Sequence, residues 1–217
     1  MRIKAIIFDC DGVILESTDI KTDAFRALYE KDHPGRIPEI LDFHRRHMGI
    51  SRHVKFRHIC TKILGEAYTA RRAAGLAAEF SRLVFDRVLE CPVVPGTREF
   101  LRGQKGRRRL FVASGTPDKE LELILRRRRL FGFFERAWGS PAKKPDVIRR
   151  VLREGPFRKT EVAFVGDAES DWRAARETGV CFVRRAGSPA EWTLPPCRWQ
   201  IDDLRGLPGV LRSIERA

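Results

Sequence analysis

Three short apolar runs constrain this chain most, because each stops abruptly at a polar side chain. Ile3-Lys4-Ala5-Ile6-Ile7-Phe8 runs into Asp9-Cys10-Asp11-Gly12, and Arg109-Leu110-Phe111-Val112-Ala113 into Ser114-Gly115-Thr116-Pro117. Val162-Ala163-Phe164-Val165 runs into Gly166-Asp167. Nearly continuous apolar runs of strand length, each followed by a helical pattern, predict parallel strands buried on both faces of an α/β sheet. Val180-Cys181-Phe182-Val183, after a helix that Gly179 ends, supplies a fourth strand. A fifth short strand is expected near Trp199-Gln200-Ile201, before a closing helix over 207–216. In open α/β sheets ligands bind outside the carboxyl ends of the strands, so the polar ends of these runs should meet in one crevice.

About ninety residues separate the first two strands, where an ordinary βα loop has roughly 2–6. They carry helical patterns over 20–31, 38–47, 51–64 and 70–89 and no convincing strand. The expected fold is therefore a Rossmann-like parallel-sheet core with helices on both faces and an inserted α-helical cap. The core takes 1–15 and 92–217, and the cap takes 16–91. Re-entry is expected at Cys91-Pro92-Val93-Val94-Pro95-Gly96, where two prolines and a glycine punctuate the chain.

Composition removes several classes. The chain has 217 residues, 42% of them hydrophobic, enough to bury a core and to argue against disorder. No stretch approaches the roughly 18–20 apolar residues of a membrane span, and acid at Asp9 interrupts any signal-peptide pattern. The cysteines (Cys10, Cys60, Cys91, Cys181, Cys197) are odd in number, scattered and without CxxC, which argues against a disulfide framework or a zinc site and for a cytoplasmic location. Lys and Arg number 43 against 29 Asp and Glu, a net charge of +14 that could attract nucleic acid or anionic substrates. The runs Arg107–Arg109 and Arg126–Arg129 lack the interleaved aromatics of a base-stacking surface, so they read as solvated faces and a nucleic-acid partner is not expected.

Asp9 and Asp11 lie two apart at a strand end, so both can face one small space. Adjacent carboxylates repel unless a cation or a shared proton separates them, an arrangement suited to a nucleophile beside an acid/base group with Mg²⁺. Asp167 and Asp171, four apart where a helix begins, can share one face and supply oxygen ligands; the plainer reading is acids complementing a helix N-terminus. Ser114, Gly115 and Thr116 offer a hydroxyl and freed N–H groups for a phosphate, and Lys143-Lys144-Pro145 could offset its charge.

The ordered set DxDGV, strand-end serine, lysine before proline and GDxxxD resembles the haloacid dehalogenase superfamily, in its phosphoglycolate-phosphatase/β-phosphoglucomutase-like branch, across essentially the whole chain. The resemblance implies Asp9 as the nucleophile that becomes an aspartyl-phosphate, Asp11 as general acid and base, and Ser114 as a phosphate-binding hydroxyl. It implies Lys144, rather than Lys143, as the steadying cation. Mg²⁺ would be held by Asp9, Asp11 (through its backbone carbonyl) and Asp167, with Asp171 a further ligand or a partner just outside the ligand set, and the substrate would be a small phosphorylated molecule. A carboxylate at Asp11 favours phosphoester chemistry over carbon–halogen or carbon–phosphorus cleavage. Gly49-Ile50-Ser51-Arg52-His53-Val54-Lys55 is similar to a mutase cap loop, so Arg52 and Lys55 are candidates for a distal anionic group, beside the plainer reading of an N-cap serine with solvated bases behind it. A sugar-phosphate mutase is the alternative activity, disfavoured by the Gly-Asp form of the last motif. Lys21, Thr22 and Arg45-Arg46-His47 are further cap candidates that read first as solvated surface, and the scattered histidines as structural or exposed. Monomer and homodimer are both compatible with the sequence.

Overall fold

The computed structural model describes residues 2–217; Met1, part of the expected core segment 1–15, lies outside the described residues. The apolar runs form β1 (Ala5–Phe8), β2 (Arg109–Pro117), β4 (Val162–Gly166) and β5 (Cys181–Arg185), with β3 (Arg136–Ser140) between and β6 (Gln200–Ile201) last. They make one parallel sheet of order β3-β2-β1-β4-β5-β6. The strand Arg136–Ser140 has no sequence forecast: Arg, Ala, Trp, Gly and Ser give neither alternation nor a continuous apolar run, and pairing to β2 decides its conformation.

Side chains alternate across the sheet as the two-residue period requires. Ile6, Phe8, Val112, Ala163 and Val165 face one layer with α5 (Thr97–Gln104), α6 (Asp118–Arg127) and α9 (Leu207–Arg216). Ala5, Ile7, Phe111, Ala113 and Phe164 face the other, against α7 (Lys144–Glu154) and α8 (Glu169–Thr178). Register then positions the site. Phe8 lies beside Val112 on one flank and Val165 on the other, so Asp9 emerges level with Ala113 and Gly166, one residue before Ser114 and Asp167. Asp9 N–H continues the ladder by donating to Val165 O at 2.9 Å.

Between β1 and β2 lie α1 (Thr18–Glu30), α2 (Ile37–Arg46), α3 (Arg52–His58) and α4 (Ala70–Glu90). The helix expected over 51–64 is broken: α3 passes at Ile59 into a five-residue π turn ending at Ile63. Phe25, Phe56 and Phe80 form the heart of this insert, with ring centroids 4.9–5.7 Å apart. The chain enters and leaves it side by side. Glu16 N–H donates to Pro92 O at 2.9 Å and Val94 N–H to Ile14 O at 3.0 Å, a short antiparallel seam. Arg185 on β5 clasps the seam, with both Glu16 carboxylate oxygens at 2.6 and 2.8 Å and Gly12 O at 3.0 Å.

Because Phe56 is fully buried between two other rings, Phe56→Ala should lower the unfolding free energy by about 3–5 kcal/mol, read from urea titration.

Candidate active site

The carboxyl ends of β1 and β4 and the N-termini of α7 and α8 deliver one cluster. Asp9 is 1% exposed; its Oδ1 accepts from Cys10 N–H at 2.6 Å and its Oδ2 from Lys144 Nζ at 2.7 Å. The same ammonium reaches Asp171 Oδ1 at 2.5 Å, while Asp171 Oδ2 accepts from Ala168 N–H at 3.1 Å. Asp171 thus caps its helix, as the plainer reading had it, and also faces the cluster. Asp167 completes it, with its Oδ2 accepting from Ser188 Oγ at 2.5 Å. One oxygen each from Asp9, Asp167 and Asp171 lie within 4.8 Å of one another. Lys143 only precedes α7, so Lys144 is the lysine that faces Asp9.

Three buried carboxylates with one ammonium carry a deficit of positive charge. Burial and the neighbouring acids push Asp9 up despite Lys144. Asp167 rises to about 7, through burial and then Asp171, with Ser188 and Lys144 offsetting part. Burial pulls Lys144 down, but Asp171 and Asp9 overcome it and hold its ammonium above the ordinary range. A hard divalent cation fits this donor set, which is all oxygen and short of positive charge.

Asp11 sits apart from that cluster. Its carboxylate turns toward the insert: Oδ1 accepts from Ser17 Oγ at 2.7 Å, and Oδ2 from Lys21 Nζ at 2.5 Å and Thr116 Oγ1 at 3.1 Å, with Ser114 Oγ at 3.3 Å. Its side chain therefore joins no metal-ligand group with Asp9, Asp167 and Asp171. Burial would raise Asp11, yet Lys21 and the three hydrogen bonds from Lys21, Ser17 and Thr116 hold it down at about 2. Lys21, read from sequence as solvated surface, is a direct partner of Asp11 and donates to Thr116 Oγ1 at 2.7 Å. Its position on an amphipathic helix gave no sign of this. Ser188, likewise unforeseen, comes from the loop after β5, which no motif marks.

Ser114-Gly115-Thr116 lies not at a helix start but in the irregular end of β2, where pairing with β3 slips between Ala113 and Pro117. That slip lets Ser114 Oγ accept from Thr116 N–H at 3.1 Å. Two glycines are required by close approach. At Gly12 (φ +71°) a Cβ would lie 2.1 Å from Asp167 Oδ2, and at Gly49 (φ +78°) 2.3 Å from Ser170 Oγ and 2.9 Å from Lys144 Nζ. The Gly49 loop is thereby pressed onto the core, with Ser170 Oγ donating to Met48 O at 2.8 Å. Above the carboxylates it roofs a cavity of about 50 Å³, lined on the insert side by Lys21, Phe25, His44, Arg52, Lys55 and Phe80.

Arg52 and Lys55 both reach this cavity, and both are buried rather than solvated. Arg52, however, is committed: it donates to Glu120 Oε1 of α6 at 2.5 Å and to Ser81 Oγ at 2.8 Å. Ser51 makes no side-chain cap to α3. Thr22 bonds His44 inside the insert, whereas Arg46 pairs with Asp42 on its surface and His47 Nδ1 bonds Phe43 O.

The Lys21 contact has a pH signature. A carboxyl held low in the folded state stabilises the fold above its unfolded value near 3.9, and that contribution disappears as pH falls toward about 2. Lys21→Met should therefore be less stable than the unmodified chain above about pH 4, and the gap should close on descent to about pH 2, as followed by thermal unfolding across that range.

Comparison with known proteins agrees with this arrangement. A family model described as haloacid dehalogenase-like hydrolase matches residues 3–179. A phosphorylated carbohydrates phosphatase of Thermotoga maritima is 28% identical over 184 residues, covering 82% of each chain. A phosphoglycolate phosphatase of Pseudomonas putida is 29% identical over 220 residues, covering 94% of this chain and 78% of its own. Among solved structures, a hydrolase from Pseudomonas syringae superposes with a TM-score of 0.78 at 19% identity over 97% of this chain and 99% of that one. A HAD-hydrolase of Bacillus subtilis bound to magnesium, whose structure reveals interdomain movement, gives 0.71 at 17% identity over 98% and 100%. With a family model spanning most of its length and the acidic cluster at the expected strand ends, this chain belongs to the haloacid dehalogenase-like hydrolases.

Proposed function

We propose that this hydrolase is a Mg²⁺-dependent phosphatase that cleaves a small phosphomonoester through phosphorylation of Asp9. One observation carries the reading: Asp9 and Asp11 stand on adjacent sides of one crevice in opposite electrostatic settings. Asp9 lies with the carboxylate cluster and Lys144, Asp11 with the hydroxyls and Lys21. Two carboxyl groups set apart by their surroundings are the pattern that separates a nucleophile from an acid/base group.

In the first half-reaction a carboxylate oxygen of Asp9 bonds phosphorus, the bond to the ester oxygen breaks, and Asp11 gives that oxygen a proton. In the second, Asp11 takes a proton from water, the water oxygen bonds phosphorus, and the bond to Asp9 breaks to release phosphate. Lys144 holds Asp9 in line and offsets the approach of two anions, while Ser114 Oγ and the Thr116 N–H mark where phosphoryl oxygens would be held. Asp9, Asp167 and Asp171 would hold Mg²⁺, which supplies charge neutralisation between phosphate and nucleophile. Asp11 needs a proton for the first step, and the Lys21 ammonium keeps it ionised. Departure of Lys21 from Oδ2, as when the insert lifts or substrate enters, removes that restraint. The names of the relatives, a phosphoglycolate phosphatase and a phosphorylated carbohydrates phosphatase, support phosphomonoester substrates. The pairing of Arg52 with Glu120 counts against its holding a second phosphate and so favours the phosphatase over the mutase.

Asp9→Asn is expected to cut phosphate release from p-nitrophenyl phosphate by a factor on the order of 10³ or more while the far-ultraviolet dichroism is unchanged; retained turnover would refute the role of Asp9. Because Asp167 titrates at about 7, Mg²⁺ affinity should climb with pH across that value and binding should release protons, as calorimetry in two buffers would read. A flat profile would remove Asp167 from the ligand set.

A further inference from the structure

The three carboxylates of the acidic cluster differ in the oxygens they leave free. Both oxygens of Asp9 are engaged, by Cys10 N–H and Lys144 Nζ, and both of Asp171, by Lys144 Nζ and Ala168 N–H. Asp167 stands apart. Its Oδ2 takes the Ser188 hydroxyl at 2.5 Å, while among the described residues its Oδ1 accepts no hydrogen bond. Asp167 also lines the cavity. The way its carboxylate is turned therefore decides how many oxygens it offers a cation, and Ser188 is the side chain that holds it.

Ser188 is itself buried, and the chain before it is pinned at three successive residues. Arg185 donates to Gly12 O at 3.0 Å, and Ala186 N–H to Ile201 O at 2.7 Å. Gly187 lies so close to Asp202 that a Cβ would stand 2.3 Å from the Asp202 carbonyl oxygen. From the other side, the bare Cα of Gly12 leaves the space in which three side chains meet. A Cβ there would lie 2.1 Å from Asp167 Oδ2, 2.7 Å from Thr18 Oγ1 and 2.8 Å from Ser188 Oγ. The hydroxyl direction is fixed as well. Ala190 N–H, which only donates, takes a lone pair of Ser188 Oγ at 3.3 Å. An ionised carboxylate, the form a cation requires, only accepts, so the Ser188 proton goes to Asp167 Oδ2.

We propose that Ser188 is a positioning residue that restricts Asp167 to ligation through Oδ1 alone and thereby biases the site toward Mg²⁺ over Ca²⁺. This rests on the Mg²⁺ site of the phosphatase reading above. Mg²⁺ demands a near-ideal octahedron, and two oxygens of one carboxylate subtend too narrow an angle for it. Ca²⁺ takes more oxygens in looser geometry and accepts a carboxylate through one oxygen or both. A donor bonded to the outer oxygen of a ligand fixes how that ligand faces the metal. Without the Ser188 hydroxyl, Oδ2 is released and Asp167 can turn to offer both oxygens, which suits the larger ion.

Titration calorimetry with Mg²⁺ alone and with Ca²⁺ alone tests it, on the unmodified protein and on Ser188→Ala, at one pH well above 7 so that Asp167 is ionised. Ser188→Ala should weaken Mg²⁺ binding by about tenfold while Ca²⁺ binding holds or tightens, so the ratio of the two affinities falls by about tenfold or more. A loop merely disturbed by the substitution would weaken both cations by the same factor. That result, or an unchanged ratio of any other kind, would overturn the proposal. Asp167→Asn separates this outcome from failure of the underlying site. If that variant binds Mg²⁺ as tightly as the unmodified protein, or if the unmodified protein binds none, the metal site is wrong and the role of Ser188 falls with it. If Asp167→Asn loses Mg²⁺ while Ser188→Ala keeps the ratio, the site stands and only the role given to Ser188 is refuted.

Discussion

Mutual repulsion among buried acids governs the centre of this molecule. Asp9, Asp167 and Asp171 are brought together by strand register and a helix start, away from water, with a single ammonium between two of them. Lys144 is itself placed by its helix: it opens α7, with Pro145 next to it where a missing N–H costs nothing. The arrangement leaves the cluster short of one cation. A hard metal fits that vacancy in charge, and a phosphoryl group would be drawn to the positive charge the metal brings. The repulsion is thus a fixed receptivity built into the carboxyl end of the sheet.

Asp11 shows the complementary use of charge. Two residues along the same strand end, it is removed from the cluster and given hydroxyls and the ammonium of Lys21, an insert side chain. The insert therefore closes more than a lid over the cavity. It contributes a charge that sets the protonation of a core residue, while the Gly49 loop and the Arg52–Glu120 pair fasten it elsewhere.

Much of this was legible in the chain. Continuous apolar runs gave four of the six strands, a two-residue end strand was foreseen, and the excess length between the first two strands required an insert. Asp9, Ser114, Lys144 and Asp167 could be placed because each sits at a strand end or helix start, where position in sequence translates directly into position in space. β3 was invisible because its residues have no strand pattern of their own and obey β2. Lys21, His44 and Ser188 were invisible for a different reason. Their partners are 10, 11 and 21 residues away across turns and loops, and contacts made by tertiary closure leave no local periodicity. Arg52 was legible as a residue near the cavity, but its partner Glu120 lies on a helix of the core, 68 positions on, so its engagement could not be read.

The seam at Ile14–Glu16 and Pro92–Val94 bears on the history open to such a chain. The two crossings are joined to each other by backbone hydrogen bonds and tied to β5 by Arg185, so the chain passes into the insert and back through one closed doorway. Closing a loop whose ends already touch depends weakly on what the loop contains. Helices could be lengthened, traded or lost beyond that doorway while strand pairing stayed as it is. New recognition surfaces could then be tried over an unchanged chemical floor.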